Sequence, residues 1–359
     1  MADEITRFQL LELPPRAINR IIGYMSINDA LIMSFISHRC LKIVSGAIRY
    51  PEHLKMDIRI TSDDFSISLY QEELQAIPGT SFRETKNIIK FECRKFEGNW
   101  FAGKKFSDLN GNLIFGVKLP AGEYVGFYQY FPPRSHEVDV YTSHLIGHLL
   151  ALFPRLTVYQ LTADFDAFRE NFLVERAFAT LRTVEHVELL GRDRRLKVPI
   201  ILTLIEVTRT FNSTDVQHGR RTVHPAQLRC TESIDIGCAA WMSRASLLSL
   251  NCPLIFLQRT KFCRVDIFGF LEKWKTYDDG SMDRIKIVEI QVPPAVLGMD
   301  ILRRLGGQRW NPARRPQRFE FEDWDWDCKD GTDLYRADGR IGTVLQCPPY
   351  IVRFVVWPA

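Results

Sequence analysis

Nowhere in this 359-residue chain do eighteen apolar residues run together, so no segment reads as a membrane-spanning helix. Charge of one sign is equally scarce. The formal net charge is only +4, which gives no basic stripe of the kind a nucleic-acid binder carries. Paired thiols are missing too: Cys40, Cys93, Cys230, Cys238, Cys252, Cys263, Cys328 and Cys347 form no C-x-x-C, so they read as reduced, mostly buried thiols of a cytoplasmic or nuclear protein. The opening "MADEITRF" is acidic and no signal-type apolar region follows it, so no signal peptide is expected. There is no G-x-S-x-G elbow and no phosphate-binding loop. "HLIGH" sets His144 and His148 at i, i+4, but Leu145 stands where a zinc protease needs glutamate. Both histidines therefore read as helix-surface or satisfied core residues. No catalytic residue, metal or cofactor is expected.

What is present is ordinary globular composition, 46% hydrophobic and 25% charged, enough for a sizeable core and two domains. The first fifty residues read as helices. Pro14 and Pro15 suit a first helical turn, and Ile18, Ile21, Ile22 and Met25 repeat at helical spacing. "SIND" breaks the run, Leu31, Phe35, Ile36, Leu41, Val44 and Ile48 continue in one or two more helices, and Pro51 closes the block. The period then becomes two. Met56, Ile58, Ile60 and Phe65, Ile67, Leu69 alternate with polar residues about a "TSDD" turn, and "NIIKFEC", "NLIFGVKL" and "EYVGFYQYF" add strands.

From His144 onward helix and strand patterns alternate. "HLIGHLLALF", "FLVERAFATL" and "DIFGFLEKWKTY" read as helices, and "LTVYQL", "VEHVELL" and "RIKIVEIQV" as strands. The length of "VPIILTLIEVTRTF" favours a helix. "ASLLSLNC" reads as a strand with the L-x-L-x-C ending of leucine-rich repeats. Strand centres at Val158, Val187, Leu248 and Val288 give degenerate repeats of one helix and one strand, with insertions. "TDLYRADGRIGTVL" is a hairpin about Asp338-Gly339, expected as a type I′ turn, and "YIVRFVVW" is a last strand.

Two sets of residues carry a family resemblance. Leu13-Pro14, Ile18, Ile21, Ile22 and Met25, followed by "INDALIMSFISHRCLKIV", resemble an F-box. The back half resembles the F-box-associated type 2 domain of nematode proteins. In "DIFGFLEKW" Phe270, Leu271 and Trp274 match that family's N-x-F-L-K-x-W, with Phe268 and Glu272 departing from it. In "DLYRADGRIGTV" Asp333, Arg336, Asp338, Gly339 and Thr343 match D-I-x-R-x-D-G-x-x-A-T-I, with Gly342 in place of alanine, and "FVVW" matches the ending. The resemblance implies an α+β or α/β architecture: a three-helix F-box over 7–50, a β-rich segment over 51–143, and an irregular leucine-rich-repeat-like α/β array over 144–359 closed by a hairpin. It implies a substrate-recognition adaptor of a Skp–cullin–F-box ubiquitin ligase, without catalysis of its own. The partners implied are the Skp-family adaptor, cullin through it, and a substrate protein. The alternative reading is a non-catalytic interaction scaffold with no part in ubiquitin transfer.

The adaptor contacts expected on this reading are Leu13, Pro14, Ile18, Ile21, Ile22 and Leu31, an apolar face that so small a helical unit cannot bury by itself. A weaker substrate-binding candidate is the loop "RRLGGQRWNPARRPQR", which holds Arg303, Arg304, Arg309, Arg314, Arg315 and Arg318. Arg309, Trp310, Arg314 and Arg315 there would suit an acidic or phosphorylated ligand. The plainer reading is a solvated loop neutralised by the acidic "FEFEDWDWDCKD" that follows, whose aromatics Phe319, Phe321, Trp324 and Trp326 read as sheet core.

Overall fold

The computed structural model describes residues 12–25, 27–35, 37–48, 53–61, 64–77, 80–94, 104–107, 113–118, 125–128, 137–164, 178–191, 202, 204–214, 228–276, 280–293, 299–348 and 350–358. The fold is α+β, with mixed β-sheet and few helices, and contacts divide the chain into two units, Met1–Tyr159 and Gln160–Ala359.

The first unit opens with three short helices, α1 (Pro15–Ile22), α2 (Ile27–Ser34) and α3 (His38–Ala47). Pro15 starts α1 where a missing N–H costs nothing, with Pro14 extended in front of it (φ −56°, ψ 144°). Ser37 caps α3 by accepting from the Cys40 N–H at 3.1 Å. Ser26, where the expected "SIND" break begins, lies outside the described residues. The alternating segment then becomes β1 (Leu54–Ile60), with Leu54, Met56, Ile58 and Ile60 buried. It pairs antiparallel with β2 (Asp64–Ile77), which pairs with β3 (Thr80–Arg94). The centre of the turn expected at "TSDD", residues 62 and 63, lies outside the described residues. β4 (Lys104–Ser107), β5 (Leu113–Lys118) and β6 (Val125–Tyr128) extend the sheet, and β6 meets β3 in parallel.

The long helix α4 (Glu137–Leu152) belongs to this first unit, not to the array expected to begin at 144. His148 on α4 is buried. Its ring stacks on Phe35 at 4.1 Å, and its Nε2 lies 2.8 Å from Ser34 Oγ. Ser34 already donates its hydroxyl proton to the Leu31 carbonyl at 2.6 Å. His148 Nε2 is therefore the donor in that pair, which fixes the tautomer. The histidine reads as a satisfied core residue that ties the helical block to α4.

In the second unit, the part of β7 (Thr157–Asp164) from Gln160 on, β8 (Thr183–Leu190), β9 (Glu206–Ser213), β10 (Ser233–Ile236), β11 (Leu254–Leu257) and β12 (Ile287–Gln291) pair in parallel and in chain order. A single buried row crosses them in register: Leu161, Val187, Phe211, Ile234, Ile255 and Val288, continued by Phe354 and Val344. Successive parallel strands need long return connections, which is how helices enter the unit.

Two expectations are corrected here. The C-terminal half of "VPIILTLIEVTRTF" is strand β9, because Val207, Thr208 and Thr210 are β-branched and Phe211 finds in-register apolar neighbours on both sides. "ASLLSLNC" is not a strand. Ser243 caps a short helix, α5 (Arg244–Leu248), by accepting from the Ser246 N–H, so Leu248 ends a helix and the strand begins past Pro253. The expected helix "FLVERAFATL" lies outside the described residues except for 178–181. The expected helix at "DIFGFLEKWKTY" is α6 (Arg264–Thr276).

After α7 (Met299–Arg304) the sheet turns antiparallel. β13 (Gln308–Arg309), β16 (Thr332–Tyr335), β17 (Ile341–Cys347) and β18 (Ile351–Val356) complete it, with β18 against β12 and β13 outermost. A separate hairpin, β14 (Arg318–Phe321) and β15 (Trp324–Asp327), pairs Phe319 with Trp326 and Phe321 with Trp324. Its aromatic face joins the cluster of Ile287, Leu345, Val355 and Trp357, although Trp324 stays exposed against Phe256.

The β16–β17 connection is the expected hairpin with a different turn. The Gly339 N–H donates to the Arg336 carbonyl at 3.1 Å, and the Arg336 N–H donates to the Arg340 carbonyl at 3.0 Å. Ala337 and Asp338 are thus the central residues, and in this turn only Gly339 has a positive φ, +90°. This is a type I turn closed by a glycine bulge, not a type I′ turn.

Glycines at two positions give a test. A Cβ on Gly342 would lie 2.5 Å from two Phe354 ring carbons and 2.8 Å from the Trp274 ring, whereas one on Gly339 would meet nothing. Gly342→Ala is expected to cost about 1–3 kcal/mol through overpacking, and Gly339→Ala about 1–2 kcal/mol through backbone strain alone. Urea unfolding should therefore show Gly339→Asn milder than Gly339→Ala, because asparagine tolerates this conformation, while Gly342 should accept no larger residue. A Gly342→Ala midpoint equal to wild type would contradict the packing.

Candidate functional site

In the helical block the structure sorts the expected docking residues into two sets. Ile18, Ile22 and Leu31 are buried within the unit, together with Ala30, Met33, Cys40 and Val44. The expectation that Ile18, Ile21 and Ile22 present one outward face is therefore corrected. Ile18 and Ile22 lie a full turn apart and point into the block, while Ile21 lies about 100° away from Ile22. Ile21 is 37% exposed and Tyr24 is 80% exposed. Pro14 is exposed, and Leu13 and Ala17 are half-buried. Pro14, Ala17, Ile21 and Tyr24 follow the i, i+3, i+7, i+10 spacing of one helical stripe. Ile21 was among the expected contacts and is exposed, whereas Tyr24, which the turn after α1 carries outward, was not among them.

In the second unit the matched motifs converge on a core. Trp274 and Phe270 of α6 meet Phe354 of β18 edge-to-face, at 4.9 and 6.2 Å between centroids, with Gly342 of β17 against Phe354 and Trp274. Beside them lies a buried polar chain. The Trp357 Nε1–H donates to Thr343 Oγ1 at 2.8 Å, and Thr343 donates to Asp333 Oδ1 at 2.7 Å. Asp333 also receives Arg315 through Nε (2.9 and 3.0 Å) and Nη2 (2.8 Å). Arg315 spends its other donors on the carbonyls of Pro316 and Cys328, and its guanidinium lies 4.8 Å from the Trp357 ring. Arg315 is thus a buried structural residue, and the expectation that it contacts a ligand is corrected. Its planar fork matched a carboxylate inside the chain before any outside partner could reach it.

A second set of charges pins the hairpin. Arg336 and Arg340 both contact Asp283, at 2.7 and 3.0 Å, and both contact Asp338, at 3.3 and 3.2 Å. Desolvation raises the Asp283 carboxyl, but the two guanidinium groups together outweigh it and hold its pKa below the ordinary value. The matched motif residues Asp333, Arg336, Asp338 and Thr343 are therefore spent on closing the fold.

The rest of the arginine loop is turned outward. Arg309 and Arg314 are exposed. Arg314 donates to Gln308 Oε1 at 2.9 Å and lies 4.9 Å from the Tyr335 ring. Trp310 is half-buried and donates its indole N–H to the Arg315 carbonyl at 3.3 Å. Two of the acids that follow are engaged away from Arg309 and Arg314. Asp325 is paired with Arg318, which holds its carboxyl low, and Asp327 accepts from the Lys329 backbone and Gln317.

Burial pushes the Cys252 and Cys328 thiols up to about 11 and Cys230 higher still, which keeps them protonated and unreactive. Among the described residues no group of three His, Cys, Asp or Glu side chains could hold a metal ion.

Comparison with known proteins returns nematode relatives. Uncharacterized protein F59B2.9 of Caenorhabditis elegans is 30% identical over 377 aligned positions, covering 98% of this chain and 79% of its own length. Uncharacterized protein F59B2.8 of the same organism is 21% identical, covering 98% of this chain and 78% of its own. A third, uncharacterized protein F54H12.5, is 21% identical over 63% of this chain. No family model matches the chain, and no solved structure matches it.

Two outcomes follow from the charges. Asp333→Ala leaves Arg315 buried without its carboxylate and is expected to destabilise the second unit by about 3–5 kcal/mol in chemical denaturation. Asp283 has a depressed folded pKa, so its contribution is present above the unfolded value of about 3.9 and is lost as the pH falls through the folded one. Thermal stability should accordingly drop on acidification below about pH 4, and Asp283→Asn should flatten that limb. An unchanged acid limb in the variant would contradict the assignment.

Proposed function

We propose that this chain, which belongs to the same family as uncharacterized protein F59B2.9 of Caenorhabditis elegans, is a non-catalytic substrate-recognition adaptor of a Skp–cullin–F-box ubiquitin ligase. The helices over 12–48 serve as the F-box and dock on the Skp-family adaptor. The second unit, with its six parallel strands in chain order, serves as a leucine-rich-repeat-like array that holds a target protein. Ubiquitin transfer would be accelerated by effective concentration and geometry alone.

The observation that carries this reading is the stripe of exposed Pro14, Ile21 and Tyr24, with half-buried Ala17 between them, on a helical block whose opposite face is already buried. A helix presenting apolar side chains that no described residue of its own unit covers suits a helix-in-groove partner. Leu13, Pro14 and Ile21 keep a direct role on this account. Ile18, Ile22 and Leu31 act by holding the block in shape. Supporting the division of labour, the conspicuous C-terminal motifs are spent on folding, which leaves the sheet surface and its edge loops to recognise a target.

Each aliphatic anchor moved from water into a partner's groove contributes up to roughly 1.5–3 kcal/mol. Ile21→Asp with Tyr24→Asp is therefore expected to weaken binding to purified Skp-family adaptor by roughly tenfold or more, with an unchanged circular dichroism spectrum. Ile22→Asp should instead disrupt the block itself. Wild-type affinity in the Ile21/Tyr24 variant would remove the docking reading.

A further inference from the structure

We propose that the outer edge of the second unit's sheet, at β13, takes an extended Asp/Glu-rich segment of the partner protein as an added strand, held by Arg309 on one face and Arg314 on the other. The proposal rests on the reading of this unit as the partner-holding one. β13 is outermost in the strand order and pairs with β16 on one side only among the described residues. An unpaired edge of this kind is a template for another chain.

The charges around that edge argue for its occupant. Arg303, Arg304, Arg309 and Arg314 are all exposed, and none has a carboxylate partner among the described residues. Arg314 is bonded to the neutral Gln308. The two nearest arginines that do find acids, Arg315 and Arg318, are used up on Asp333 and Asp325. The loop between α7 and β13 is itself rigidly made. The Gly307 N–H donates to the Leu302 carbonyl at 2.8 Å and the Gly306 N–H to the Arg303 carbonyl at 2.9 Å, with Gly306 at φ +70°. This pattern is a Schellman cap, and Lys275 Nζ adds a bond to the Leu305 carbonyl at 2.5 Å. Arg309 is therefore delivered to the edge from a fixed turn.

The faces matter most. Neighbouring strand residues point to opposite sides of a sheet, so Gln308 and Arg309 diverge. Gln308 lies opposite Asp333, on the side where Arg315 and Arg314 sit, and Arg309 points to the other side. The unpaired guanidinium groups thus straddle the edge. A single phosphate needs cations converging on one point, and these do not converge: Arg303 and Arg304 leave their helix about 100° apart. An added strand, by contrast, sends alternate side chains to both faces, so carboxylates spaced along it reach both sets.

The test is fluorescence anisotropy of the full-length chain with labelled peptides of about ten residues, roughly a strand long. The probes are an acidic Glu/Val peptide, a Lys/Val control, a Glu/Val peptide of equal charge interrupted by proline, and a phosphoserine/Val peptide. The acidic peptide is expected to bind with an affinity that falls as salt rises. Arg309→Ser with Arg314→Ser should lower that affinity by roughly tenfold or more, while Arg318→Ser leaves it unchanged. The Lys peptide should not bind, and proline should abolish binding because it removes ladder donors. Equal binding of the acidic peptide to the Arg309/Arg314 variant, or no binding to wild type, overturns the proposal. Undiminished binding of the proline peptide overturns the added strand, and preference for phosphoserine overturns the choice of carboxylate. Adaptor affinity measured on the same samples reports the helical block separately, so failure of either reading is distinguishable.

Discussion

The second unit depends on one buried ion pair. Arg315 and Asp333 come from different segments, and bringing them together draws in Thr343 and Trp357 by hydrogen bonds and the Pro316 and Cys328 carbonyls by the remaining guanidinium donors. A buried pair is a stabilising element only when its charges are well supplied with hydrogen bonds, and here Nε, Nη1 and Nη2 of Arg315 each donate and both Asp333 oxygens accept. The consequence is geometric. The loop before β14, the strand β16, the strand β17 and the chain end after β18 are fixed against one another at a single point. Parallel strands β7 to β12 would otherwise end at an exposed apolar edge. The antiparallel strands held by this network cover it, and Phe354 carries the buried row onward from Val288.

This constraint explains why the residues that stood out in the sequence are not a binding site. Trp274, Phe270, Gly342 and Phe354 pack together, and Asp333 and Thr343 form the polar chain beside them. Arg336 and Asp338 add a second clamp through Asp283 and Arg340. Motifs of this kind specify a closure, and a closure made inside the unit leaves the loops and sheet edges available to a partner. The surfaces proposed for partners, the α1 stripe and the sheet edge, lie outside these closing motifs.

How much of this was legible follows from the range of each interaction. The alternation of Met56, Ile58 and Ile60 and the Asp338-Gly339 pair are local signals, and strand and hairpin stand where they were expected. Leu248 was misplaced because an apolar run of this length suits either period, and the Ser243 cap decided it. Val207 to Phe211 became strand through neighbours on β8 and β10 that no local window contains. Arg315 looked like its exposed neighbour Arg314, since nothing nearby in the chain marks it as buried; its carboxylate is eighteen positions away, at Asp333. Within α1, spacing alone could not separate Ile21 from Ile18 and Ile22, because apolar residues at i, i+3 and i+4 share one broad face that is divided into inward and outward parts only by what packs on it.

The central claim is that the two units have separate partners, with the helical block facing the ubiquitin-ligase adaptor. Hydrogen–deuterium exchange of the full-length chain, with and without purified Skp-family adaptor, tests it most directly. The account predicts slowed exchange confined to residues 12–48, centred on α1, with amides over 160–359 unchanged. Protection over the second unit with α1 unaffected would contradict it.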